Sequence, residues 1–380
     1  MATTIYWFIA VFGYIIQTKC LSILQTRNKL EDNDDEKAHQ GLMVLLTFIY
    51  FSSWLLLRPM SFFFSRNQTE NKSYRTLSTE STTDVELQTF SETQENVAPT
   101  VADVHASFPS QRFTAKYIAK LLTLSVLLLV AMLSYTMALS MSPGFDISLI
   151  QNTSIFEITS LLYGVCGLTK RRNIFRNFAI MMAALFGILI VSYTKATCDL
   201  LAGKLSINES TGELNDPFLF DRLKSSLLCG LGALTLGPFA VLWNRWFNSS
   251  KNITLTQQCT HLSMIGFICM VCLLPLFPSL KNAILFIYKD QTFWGIALAS
   301  TLLGSLPSAL SLLQINRNRT PEYATTINLG NIIFMGISDW IFEPTQTTII
   351  RWEVIGYIIL SVCCIVLSMV YYDKRKISSR

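Results

Sequence analysis

Ten apolar runs, each about as long as a membrane-crossing helix, recur along the 380-residue chain and leave it few ways to fold. A bilayer core roughly 30 Å thick is crossed by about 20 helical residues, each rising about 1.5 Å. The runs lie at approximately 5–24, 41–62, 117–141, 147–168, 177–194, 225–243, 262–280, 293–314, 324–342 and 353–372. Only 14% of residues are charged and 51% are hydrophobic, which argues against a soluble enzyme. The net charge of +5 is small and the basic residues sit between the runs, so no nucleic-acid partner is expected. The first run could pass for a signal peptide, but Met1 to Thr4 carries no basic residue and no clear cleavage site follows. It therefore reads as a membrane helix, and the fold class expected is all-α, a polytopic membrane protein.

Basic residues set the orientation. With ten spans, 18 of the 30 Lys and Arg fall on one side, including Lys170-Arg171-Arg172 and Lys374-Arg375-Lys376, and 11 on the other. Both termini are expected to be cytosolic. The division that follows is helices one and two in 1–64, a cytosolic loop at 65–112, helices three to five in 113–196, a luminal loop at 197–221, helices six to ten in 222–373, and a basic tail at 374–380. Of the 48 residues in 65–112, 15 are Ser or Thr and no long apolar run occurs, so disorder is expected there. Such a loop is either a tolerated insertion or a substrate for a cytosolic kinase or regulator. Asn208 is the one glycosylation sequon placed on the luminal side.

The chain also matches itself without gaps at an offset of 178 residues: Ser142-Pro143 falls on Thr320-Pro321, Phe145 on Tyr323, Ile155-Phe156 on Ile333-Phe334, and Ser160 on Ser338. Because each half has five spans, the second copy starts on the opposite face. The expected architecture is ten transmembrane helices as two inverted five-helix repeats.

Several segments, namely Tyr135-Thr136-Met137-Ala138-Leu139-Ser140, Thr153-Ser154-Ile155-Phe156, Gly187-Ile188-Leu189-Ile190-Val191 and Gly336-Ile337-Ser338-Asp339-Trp340-Ile341-Phe342, carry a family likeness. The chain resembles the drug/metabolite transporter (EamA-like) superfamily, most of all the F-type members of solute carrier family 35 and their fungal vacuolar-membrane relatives. The resemblance implies a secondary transporter of a small polar or anionic metabolite, working by alternating access in an internal membrane, the vacuolar one favoured over Golgi or endoplasmic reticulum. A nucleotide-sugar antiporter of the same superfamily is the nearest alternative. From a different class, the chain reads as a non-transporting membrane sensor or scaffold.

Ionisable groups inside membrane helices usually face a cavity or a partner, because exposing them to lipid is costly. Lys120, Glu157 and Asp339 qualify. Glu157, at mid-depth of span four, is the leading candidate for substrate binding or proton coupling. Lys120 either snorkels to the headgroups or turns inward, and Asp339 either serves the cavity or caps the end of span nine. Thr153, Glu157, Ser160 and Gly164 share one face of span four, while Asn328, Asn331 and Ser338 mark span nine. These two polar faces are expected to meet at the pseudo-symmetric centre, with Gln151, Asn152 and Tyr135 as weaker candidates. Cys269 and Cys272 make half a zinc site with no second pair nearby. No metal, cofactor or catalytic residue is expected, and the chain is not read as an enzyme.

Overall fold

The computed structural model describes residues 2–31, 36–61, 115–167, 174–201, 206–207, 214–215, 219–248, 254–276, 291–342 and 351–378. The loop at 65–112, the Asn208 sequon and the Lys170 cluster lie outside them. Helices occupy every one of the ten sequence runs. They are α1 (Ala2–Glu31), α2 (Glu36–Leu55), α3 (Ala115–Met141), α4 (Gly144–Val165), α5 (Ile174–Leu201), α6 (Leu219–Phe247) and α7 (Leu255–Leu273). The eighth run is α8 (Gln291–Ala299) and α9 (Leu306–Asn318) joined by a π-helical turn, Ser300–Ser305. The last two are α10 (Pro321–Phe342) and α11 (Arg351–Ser378). Between α5 and α6, β1 (Ser206–Ile207) and β2 (Leu214–Asn215) pair antiparallel, Ser206 opposite Asn215.

Seven of these helical stretches are long and apolar enough to cross a membrane. The other three are helical where the runs predict: α4 and α10 are more polar, and α11 is apolar over its described stretch Glu353–Met369. Asp146 and Glu157 dilute α4, and Glu322 and Asp339 dilute α10.

Local chemistry sets the helix ends. Pro143, with ψ 144°, precedes α4 in extended backbone, a conformation into which the proline ring also pushes its predecessor. Pro321 opens α10 after Arg319 has left the helical region at ψ 172°. α7 starts with a capping box, the Thr254 hydroxyl accepting from the Gln257 amide while the Gln257 side chain accepts from the Thr254 amide. Gly167, at φ 70°, follows the end of α4 in the left-handed region that L side chains avoid.

Packing divides into two apolar clusters. One gathers α2, α3, α6, α7 and α8 around Phe51, Leu124, Trp243 and Ile265; the other gathers α5, α10 and α11 around Leu329 and Leu360; α1, α4 and α9 contribute to both. α3 and α4 pack on α6, α1 packs on α9 and α10, α5 on α11, α4 on α10, and α2 on α7. α1 and the π turn approach closely. A Cβ on Gly13 would lie 2.7 Å from the Gly304 carbonyl oxygen, and one on Gly304 would lie 3.0 Å from the Gln17 backbone. Only glycine on both sides lets these backbones touch.

Candidate functional site: a polar cavity at the centre of the bundle

α1, α2, α3, α4, α6, α7, α9 and α10 line a cavity of ≈270 Å³, with α5, α8 and α11 standing outside it. Its polar wall is made of amides and hydroxyls. Tyr14 and Gln17 come from α1, Tyr135 from α3, Asn152 and Thr159 from α4, Asn244 from α6. α9 adds Ser308 and Asn316, and α10 adds Thr325, Asn328 and Asn331. Every lining residue is uncharged.

Two hydrogen-bond networks brace this wall. In the first, the Asn331 side-chain amide donates to Asn152 Oδ1 at 2.9 Å, joining α10 to α4. Asn152 in turn donates to the Tyr14 hydroxyl at 2.9 Å, and Tyr14 donates to Gln151 Oε1 at 3.3 Å, which brings in α1. The second lies around the end of α6. Asn244 donates to the Tyr163 hydroxyl at 3.0 Å, Asn248 donates to Asn244 Oδ1 and to the Asn316 backbone carbonyl, both at 2.9 Å, and Gln258 donates to Asn248 Oδ1 at 3.0 Å. It ties α4, α6, α7 and α9 together. Bonds of this kind between membrane helices are individually modest, and their chief effect is to set which faces meet.

The sequence candidates fall in different places. Asn331 is buried and, with Asn328, lines the cavity, as do Gln151, Asn152 and Tyr135. Thr153, Glu157, Ser160 and Gly164 do not. They lie on the other side of α4, roughly a third of a turn from Asn152 and Thr159 at 3.6 residues per turn. The faces that meet between α4 and α10 are therefore not the expected pair. α4 contributes Gln151, Asn152 and Thr159 in place of the Thr153 face. The Thr153 hydroxyl donates to its own helix at Leu149 O, 2.6 Å away. Glu157 is half-buried, and its Oε1 has no hydrogen-bond partner among the described residues.

Lys120 sits near the start of α3 with its ammonium over the Trp246 ring, 5.6 Å from the centroid, and does not enter the cavity. Asp339 is ion-paired with Lys19 of α1, and Ser338 is buried beside it outside the cavity wall. Cys269 is buried and Cys272 exposed on α7, so the two thiols do not converge. Sequence reading passed over Tyr14, Gln17, Tyr163, Asn244 and Asn316. Their signal, neutral amides and tyrosines within apolar runs, is legible once neutral polar groups are weighed beside charged ones.

An eight-helix wall around an uncharged polar cavity, with outer helices packed against it, defines a polytopic membrane protein whose buried chemistry is hydrogen bonding. Comparison with known proteins narrows this. Residues 1–371 match the family model CSG2, ceramide synthase regulator. The chain is 50% identical over 405 residues to the mannosyl phosphorylinositol ceramide synthase regulatory protein CSG2 of Saccharomyces cerevisiae (strain ATCC 204508 / S288c), covering 97% of this chain and 98% of that protein. A solved protein crystal structure shares the fold at TM-score 0.53 and 10% identity, covering 98% of each chain. This chain belongs to the CSG2 family of ceramide synthase regulators.

Family membership corrects the sequence reading. The likeness to the drug/metabolite transporter superfamily rested on short apolar segments, and a match running over residues 1–371 outweighs it. With it fall the secondary transporter of a small metabolite, its proton coupling and the nucleotide-sugar antiporter. The expectation that the chain is not an enzyme stands, because the family is one of regulators.

Proposed function

We propose that this chain is a non-transporting membrane subunit that regulates a synthase acting on phosphorylinositol ceramide. The observation that carries this is the 50% identity to a regulatory protein of that synthase, running over 97% of the chain. A regulator of this kind works through contact with its enzyme inside the bilayer, and the outward face of α4 suits that role. Thr153, Glu157, Ser160 and Gly164 line up there, each half-buried, and a Cβ on Gly164 would meet nothing within 4 Å. A carboxyl on a membrane helix is costly against lipid, so the occupant this face fits is a transmembrane helix of the enzyme carrying a hydrogen-bond donor at the depth of Glu157.

The architecture in this reading is ten spans in two inverted five-helix repeats. The packing supports it. Exchanging the first five spans with the last five turns the α1–α9 contact into α6–α3 and the α1–α10 contact into α6–α4. The contacts α5–α11, α4–α10 and α2–α7 map onto themselves. Both termini are then cytosolic, in the domain division drawn from the sequence, and the membrane is an internal one such as the Golgi. Its vacuolar assignment loses its ground with the transporter resemblance.

Co-purification from membranes tests the reading, with mass spectrometry of the mannosylated inositol-phosphoceramide product. The parent chain should co-purify with the synthase, and Glu157→Leu should weaken that association about tenfold and lower the product while Glu157→Gln, which keeps a polar partner, does neither. Unchanged product in cells lacking the chain would overturn the regulatory assignment. Unchanged association of Glu157→Leu would overturn only the α4 contact.

A further inference from the structure

Four buried polar atoms of the cavity-lining residues make no hydrogen bond among the described residues. They are the Trp54 indole nitrogen, the Thr159 hydroxyl, and the side-chain carbonyls of Asn316 and Asn331. They belong to residues of α2, α4, α9 and α10 that line the same cavity from four helices. Buried polar groups are ordinarily paired, and this concentration around one cavity calls for a partner that sits inside it. The indole N–H only donates, the two carbonyls only accept, and the hydroxyl does either. A molecule that satisfies them must accept and donate at once.

The remaining chemistry of the wall restricts that molecule further. No lining residue is charged, and bringing an unpaired charge into such a space costs far more than bringing in an amide or a hydroxyl. Between the polar groups the wall is apolar, with Leu128, Met132, Ile155, Leu236, Phe239 and Leu312. At ≈270 Å³ the cavity far exceeds the roughly 10–15 Å³ that a single water needs. It approaches the lower end of small-molecule sites at about 300 Å³. We infer that the central cavity binds one uncharged amphiphile, its amide and hydroxyl head completing Trp54, Thr159, Asn316 and Asn331 and its alkyl part lying on the apolar wall. The site stands on the cavity alone and survives if the regulatory reading fails.

The test uses the purified full-length protein in detergent micelles, followed by its tryptophan emission, since Trp54 and Trp243 both belong to the wall. The probe is N-hexanoylsphingosine, uncharged and carrying an amide and hydroxyls. Its comparisons are N-hexanoylsphingosine 1-phosphate, which is anionic, and free sphingosine, which is cationic. The uncharged probe should titrate to saturation and bind at least about tenfold more tightly than either charged one. Thr159→Val keeps shape and removes only a hydroxyl, and should weaken binding about three- to tenfold. Ala309→Phe, which fills the cavity, should abolish it. Should that variant lose its cooperative melt, Thr159→Val carries the test by itself. Equal binding of charged and uncharged probes, unaltered affinity in Thr159→Val, or no saturable signal at all, as for a cavity that holds only water, would overturn the assignment.

Discussion

Lys19 and Asp339 show how far apart in sequence two residues can be and still settle each other's charge. Asp339 stands out in the sequence by its depth in an apolar run, but nothing local names its counterion, which lies on α1, the first helix of the chain. Pairing lowers the cost of placing a charge inside a helix bundle, and removing one member takes a partner of opposite charge from the other. Lys19→Met alone should destabilise the folded protein by about 3 kcal/mol, and the double variant Lys19→Met/Asp339→Leu should recover most of that loss. Melting of the purified variants in detergent measures both. Melting of Lys19→Met equal to that of the parent would show the pair to be inert. Asn331 and Asn152 make the same point for neutral groups. Helical spacing in span nine points to Asn331, whereas its acceptor Asn152 on α4 lies off the Thr153–Glu157–Ser160 face that the spacing in span four picks out.

Among the elements, the eighth span departs most from what its residues announce. Pro307 predicts a kink, since its ring removes a backbone donor and crowds the preceding turn. The helix answers with the π turn Ser300–Ser305, in which the Leu306 amide donates to the Thr301 carbonyl, one residue further back than in an α-helix. This turn carries Gly304 into contact with α1 at Gly13 and Gln17. Gly304→Ala should therefore cost about 1–3 kcal/mol, because the new Cβ meets backbone that cannot move aside. Gly295→Ala, on α8, has open space and should instead stabilise by up to about 1 kcal/mol through helix propensity. Opposite signs for two glycine substitutions in one span, read by thermal melting, test that packing. The same sign for both would mean the α1 contact is looser than its geometry requires.

At the scale of the molecule, orientation is the property most open to direct measurement. The two-sided count of basic residues puts 197–221 in the lumen, where the Asn208 sequon would accept glycan. Endoglycosidase treatment should increase gel mobility of the parent chain and leave Asn208→Gln unaffected. In sealed vesicles, tags on both termini should be cleaved by external protease. An unglycosylated Asn208 together with protected tags would invert the topology. The Ser/Thr-rich loop, by contrast, lies wholly outside the described residues, and its place as a kinase or regulator substrate remains a proposal drawn from composition.

How much of this was legible in the chain depends on the range over which each property acts. Whether a segment forms a helix depends largely on its own residues, so the helices in the ten runs and the prolines that open α4 and α10 could be read locally. Which side of a helix turns inward is decided by its neighbours. α4 carries polar groups on two sides, and periodicity favoured the face with the carboxylate; packing against α1, α6 and α10 selected Gln151, Asn152 and Thr159. A buried space favours neutral groups that can be paired over a charge that cannot, which is why Glu157 faces away from the cavity. The sequence thus determined the helices and their order. Only the tertiary structure decided the uncharged centre, because that centre exists through hydrogen bonds between helices distant in the chain.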